Sequence, residues 1–177
     1  QAFGHHFDFI AIPIIKKRLR MDTSQVIINE ERPQLTKHLA TRFKEKIGQN
    51  VNLLGEVVLG NGEADHRYHH YLEALESPDI NYISVKISGI YAQTHALNYE
   101  ESFPELVSRM SALYQKAIDF PYTDEDGIKR SKFINLDMEE YKDAHFTLRL
   151  FKAVLNLPQF KNYSAGIVVQ AYLPDAY

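Results

Sequence analysis

Four polar side chains each interrupt a short apolar run of β type: Glu56 in 51–56, Lys86 in 82–88, Asp137 in 132–138 and Gln170 in 166–172. Parity relates them. Successive side chains of a strand point to opposite faces, and one parity holds Asn52, Leu54 and Glu56; Ser84, Lys86 and Ser88; Asn135, Asp137 and Glu139; and Val168, Gln170 and Tyr172. The other parity is apolar: Leu53, Ile83, Val85, Ile87, Ile134, Leu136, Met138, Ile167, Val169 and Ala171. Two carboxylates, an ammonium and an amide facing one interior must pair with one another or be occupied by a ligand. The first option is an internal ion pair of Lys86 and Asp137 with Glu56. The second is a binding or catalytic site.

The elements that would position these residues follow from the spacing of the runs, which begin at 51, 82, 132 and 166. Each interval has room for a crossover helix, so the strands are expected to be parallel. The intervening sequence supplies the helices. Phe103, Leu106, Val107, Met110, Leu113, Tyr114 and Ala117 form one helical face, with Ser102 and Glu105 as a capping box at its start. Ala144, Leu148, Phe151 and Leu155 form another, and a shorter helix is expected over about 63–76. Before the first strand, Leu35, Leu39, Phe43 and Ile47 recur every four positions, with Pro33 in the first turn, so residues 1–50 read as a helical segment.

A doubly wound sheet, covered by helices on both faces, would carry strands that are apolar throughout. Strands apolar on one parity and polar on the other fit a (β/α)8 barrel of TIM type, with the polar set lining the bore. Glu56, Lys86, Asp137 and Gln170 then lie toward the strands' C-terminal ends, where barrels carry their active sites. Residues 51–177 supply four of eight βα units, whereas a whole barrel needs about 250 residues. The expectation is an incomplete α/β barrel, half of a larger protein or one of two copies that complete each other through strand edges, a route to a homo-oligomer. The polar stretch Thr123 to Arg130 is expected as a solvated loop on the opposite side.

Composition narrows the chemistry. The formal charge, 20 − 23 = −3, gives no basic surface for a nucleic acid. With no cysteine, disulfides, thiolate metal sites and cysteine nucleophiles are excluded. The longest apolar run, Phe9 to Ile15 with Pro13 inside, is too short for a transmembrane segment. His66, His69 and His70 stand at helical spacing, but an exposed helix face beside Asp65 and Arg67 explains them more simply than a metal, and none is expected. Asn162-Tyr163-Ser164 matches a glycosylation acceptor without a secretion signal to go with it.

Four phrases in order, Asn52-Leu53-Leu54-Gly55-Glu56, Ile83-Ser84-Val85-Lys86-Ile87-Ser88, Phe133-Ile134-Asn135-Leu136-Asp137-Met138-Glu139-Glu140 and Gly166-Ile167-Val168-Val169-Gln170-Ala171-Tyr172, resemble the flavin-dependent proline dehydrogenase family. The likeness is greatest to bacterial bifunctional proteins that join this activity to a 1-pyrroline-5-carboxylate dehydrogenase. The resemblance implies a distorted barrel holding FAD, which oxidises L-proline to 1-pyrroline-5-carboxylate and passes electrons to a quinone. It further implies a cytoplasmic protein, peripheral on the inner membrane. Carried over by position, Lys86 and Asp137 are catalytic and contact the cofactor: Lys86 beside the substrate carboxylate and flavin, Asp137 in the polar network under the ring. Gln170 would hydrogen-bond the isoalloxazine. Asn52, where many members carry Asp, Glu56 and Tyr172 would support them from behind.

The family's later strands bring an arginine to the flavin, and its final helix an arginine pair to the proline carboxylate; these residues lie outside the present sequence. The 177 residues alone are therefore expected neither to retain FAD nor to turn over proline. Two rival functions fit the parity pattern. One makes Lys86 the Schiff-base nucleophile of a barrel lyase or aldolase, with Asp137 as proton shuttle. The other makes the half-barrel a non-catalytic assembly module that engages partners through its strand edges.

Overall fold

A computed structural model describes residues 8–23, 27–28, 32–53, 60–92 and 99–174, which divide into two compact units, Gln1–Ile47 and Gly48–Tyr177. The first unit holds two helices, α1 (Asp8–Thr23) and α2 (Arg32–Lys44). Pro13 sits inside α1, where it removes one backbone N–H from the ladder. Helix α2 ends before the fourth apolar residue of its expected face. Lys46 turns to φ 59, while Ile47 N–H donates to the Arg42 carbonyl and Lys46 N–H to that of Phe43. This left-handed closure satisfies carbonyls the helix leaves over, and Ile47 lies beyond it.

The second unit is built on a parallel sheet, β1 (Val51–Asn52), β2 (Tyr82–Lys86), β5 (Phe133–Asp137) and β6 (Gly166–Ile167), in that spatial order. Each strand lies beside its predecessor in this sheet. Helix α3 (Asn61–Glu76) leads from β1 to β2, and α6 (Ala144–Leu155) from β5 to β6. Between β2 and β5 run α4 (Ile87–Ile90), α5 (Tyr99–Asp119) and an antiparallel ribbon of β3 (Tyr122–Thr123) and β4 (Lys129–Arg130). That ribbon replaces the expected loop. Asp124 accepts from the backbone N–H of Asp126 and Ile128, Gly127 takes φ 75, and the Arg130 guanidinium holds the Asp124 carboxyl below its ordinary range.

The apolar parity of the two central strands forms the core, whereas Val169, 54% exposed, and Ala171, also exposed, lie past the end of β6 and do not join it. Ile83 and Val85 of β2 and Ile134 and Leu136 of β5 are at most 1% exposed; Leu106, Met110, Leu113 and Ala117 of α5, with Leu150 and Val154 of α6, are buried with them. At the N-terminal end of β5 a charged residue joins this core. Lys132 is 1% exposed, its ammonium donates to the Ser77 carbonyl at the end of α3, and its backbone N–H donates to Ala117 of α5. The Tyr163 hydroxyl donates to its carbonyl at 3.0 Å. One residue thus ties two helix ends to the base of the sheet.

The expected strand lengths need correction. Residues 54–59 are outside the described set, so β1 is seen only over Val51–Asn52. The run 82–88 stops at Lys86 because Ile87 and Ser88 enter α4, where Ile87 and Ile90 are buried. The run 166–172 ends as a strand at Ile167; Val168 N–H still reaches the Leu136 carbonyl, and then a turn closes with Leu173 N–H on Gln170. Helix α5 starts at Tyr99, not at the Ser102 capping box. Ser102 lies buried inside it, its hydroxyl on the Tyr99 carbonyl.

Candidate active site at the C-terminal ends of the strands

The polar parity rises in paired layers along the sheet. Tyr82 lies opposite Phe133, Ser84 opposite Asn135, and Lys86 opposite Asp137. The lowest layer is aromatic, with ring centroids 5.0 Å apart and planes at 87°. In the middle layer Asn50 Nδ2 donates to the Ser84 hydroxyl at 2.9 Å. The top layer holds the charges. Parallel pairing places Lys86 and Asp137 at the ends of adjacent strands, on one face, half-buried.

The part of the expected ion pair that involves Glu56 lies outside the described residues. Among the described residues Lys86 makes no salt bridge to Asp137. Instead the two carboxylate oxygens of Asp137 each accept from an amide: Oδ2 from Asn52 Nδ2 and Oδ1 from Asn135 Nδ2, both at 3.3 Å. Asn135 can take this position because β6 has no side chain opposite it. A Cβ on Gly166 would stand 2.4 Å from Asn135 Oδ1 and 3.0 Å from the Phe133 ring.

Beyond the strand ends, Ile87, Tyr99, Asp137, Glu139, Asp143, Phe146 and Thr147 line a small cleft. Tyr99 stacks on Phe146 with centroids 4.0 Å apart, and its hydroxyl donates to the Asp143 carboxylate. Burial, then the Asp143 bond, raises the Tyr99 phenol above its ordinary range. Under the β2 end, Tyr71 of α3 is buried and its phenol pushed up to about 12, chiefly by loss of water. These tyrosines stay protonated at neutral pH and serve as hydrogen-bonding posts.

Of the sequence-expected residues, Lys86, Asp137 and Asn52 come together on one face. Glu56 lies outside the described residues. Gln170 lies past the end of β6, half-buried, with no side-chain hydrogen bond to Lys86 or Asp137 among the described residues. Tyr172 is 80% exposed, in the turn past the end of β6. Glu139 went unassigned. It belongs to the polar parity, yet its bonds to Ser88 depend on that residue turning into a helix, which the β-type sequence around it conceals. His66 and His70 sit on α3 with ring centroids 4.2 Å apart, while His69 Nδ1–H donates to the Asp65 carbonyl. Among the described residues no three potential ligands are grouped to hold a metal ion, and no helix is long and apolar enough to cross a membrane.

The chain is similar over its length to proline utilization A from Corynebacterium freiburgense: 36% identity over 98% of this chain and 18% of that one, with a TM-score of 0.78. It is similar also to proline utilization A from Bdellovibrio bacteriovorus, described as inactivated by N-propargylglycine, with 28% identity over 94% of this chain and 19% of that one and a TM-score of 0.79. Proline utilization A from Bradyrhizobium japonicum shares the fold, with a TM-score of 0.70 at 22% identity over 96% of this chain and 18% of that one. The chain thus spans roughly a fifth of the length of these relatives. Among curated proteins no match was found. Residues 35–177 match the proline dehydrogenase family, and together with the relative from Corynebacterium freiburgense this makes the chain a member of that family.

Proposed function

We propose that residues 48–177 are the opening βα units of a (β/α)8 barrel whose C-terminal face oxidises L-proline to 1-pyrroline-5-carboxylate with FAD. The observation that supports it most is the top polar layer. An ammonium and an amide-held carboxylate stand in register at the ends of adjacent parallel strands, on the face opposite the core. The layered side chains below them also suit a barrel interior, and the edges of β1 and β6 suit further strands.

The donor set fits a flavin and a small amino acid. Lys86 offers a positive charge for the substrate carboxylate. Asp137 is fixed by Asn52 and Asn135 and keeps lone pairs free for a donor, while Gln170, two residues past the last ladder bond of β6, carries an amide that can both donate to and accept from a heteroaromatic edge. The flavin, when bound, supplies the hydride acceptor. The protein's part is orientation: the substrate anion is neutralised by Lys86, and the polar layer is held rigid by its own amides. The relatives' length suits a fused or partner 1-pyrroline-5-carboxylate dehydrogenase as consumer of the product; a quinone as final electron acceptor is proposed from the family resemblance alone.

The test is Lys86→Met in the native, full-length, FAD-loaded protein. Loss of a charge-assisted contact is expected to raise KM for L-proline by about 10- to 100-fold. Unchanged KM and kcat would overturn this assignment, and covalent trapping of a carbonyl substrate on Lys86 by borohydride would favour a Schiff-base lyase instead.

A further inference from the structure

The turn that follows Lys86 is fastened from three sides. Helix α4 is a single turn and cannot hold itself. At its start the Glu139 carboxylate accepts from the Ser88 backbone N–H at 3.2 Å and from the Ser88 hydroxyl at 2.9 Å. Beneath it the Tyr71 hydroxyl lies against the Lys86 N–H, and a Cβ on Gly89 would meet that hydroxyl at 2.9 Å. At its end Arg109 of α5, paired with Asp65 at 2.6 Å and Glu105 at 2.7 Å, donates to the Ile90 carbonyl at 2.9 Å.

Two of these three fastenings come from helices, whereas Glu139 follows β5 itself, two residues beyond Asp137. Its bonds to Ser88, two residues beyond Lys86, join the ends of the two strands just past their last register pair. We infer that Glu139 is a positioning residue of the proline site: through Ser88 it sets the separation of Lys86 from Asp137, and with it the place where a substrate carboxylate is met. The inference rests on the reading of Lys86 given above. Glu139 acts here through Lys86, not on the substrate.

A thermodynamic cycle in the native, full-length, FAD-loaded protein tests this. The probe is the analogue of proline with its ring nitrogen replaced by oxygen, which keeps the carboxylate; its binding is read from the change in flavin absorbance. Glu139→Ala is expected to weaken binding about tenfold, and Glu139→Gln, which keeps an acceptor for the Ser88 N–H, to recover most of the loss. In a Lys86→Met background Glu139→Ala is expected to cost nothing more. An equal loss in both backgrounds, or none in either, would overturn the inference while leaving Lys86 as assigned. If Lys86→Met alone leaves binding unchanged, the reading of Lys86 falls and the inference with it. Should Glu139→Ala not fold, Ser88→Ala removes only the hydroxyl contact, and the same cycle is expected to show about a threefold loss that vanishes in the Lys86→Met background.

Discussion

At the scale of single residues the site depends on what is missing from β6 as much as on what β5 presents. Asn135 reaches Asp137 only because Gly166 leaves its side open. Gly166→Ala would drive a methyl group into the Asn135 amide, so the amide or the strand must move. The expected cost is about 1–3 kcal/mol of stability, seen as a lower urea midpoint, together with weaker flavin retention in the full-length protein. Unchanged stability and flavin content would show that Asn135 has room elsewhere. The polar face was legible in the sequence at this scale. Alternation alone placed Lys86, Asp137, Asn135 and Glu139 on one polar face, since period two is the strongest signal a half-buried strand emits. Alternation could not show that Asp137 would be held by amides instead of Lys86, because a choice between partners is made by distances across strands.

At the scale of elements, Lys132 shows how a charge can belong to the core. Burial lowers its ammonium from an ordinary 10.5 to about 8, with Asp79 opposing the shift. Below pH 8 the folded and unfolded chains both keep this proton, and the cost of burying the charge is constant. Between pH 8 and 10.5 the unfolded chain holds a proton that the folded chain has released, so this group makes the protein more stable as pH rises. Lys132→Met should abolish that rise. The check is the change in urea midpoint from pH 7.5 to 9.5, larger in the parent than in the variant; equal changes would contradict it. The four strands and the helices between them were legible from spacing and from the faces of α5 and α6. Strand ends were not. Ile87 and Ser88 continue a β-type pattern, yet tertiary contacts from Tyr71, Arg109 and Glu139 turn them into helix. Likewise β6 has one described neighbour, and the Gln170–Leu173 turn overrides the apolar run.

For the whole molecule, the sheet keeps its core on one face and a polar layer with charged ends on the other, and β1 and β6 end it. Residues 1–177 expressed alone are expected to lose flavin during gel filtration, since the proposed site draws on further strands. A flavin absorbance band that co-elutes with the 177-residue polypeptide would refute this.

The spatial order of the parallel sheet follows the order of its strands along the chain, with only the β3–β4 ribbon set apart. Each newly synthesised strand can therefore dock on the one made just before it, and the sheet can grow from one side while the ribosome is still working. The last strand to emerge always presents open backbone groups to whatever comes next. A pause in translation there would favour clumping of nascent chains, and release would favour addition of the next strand.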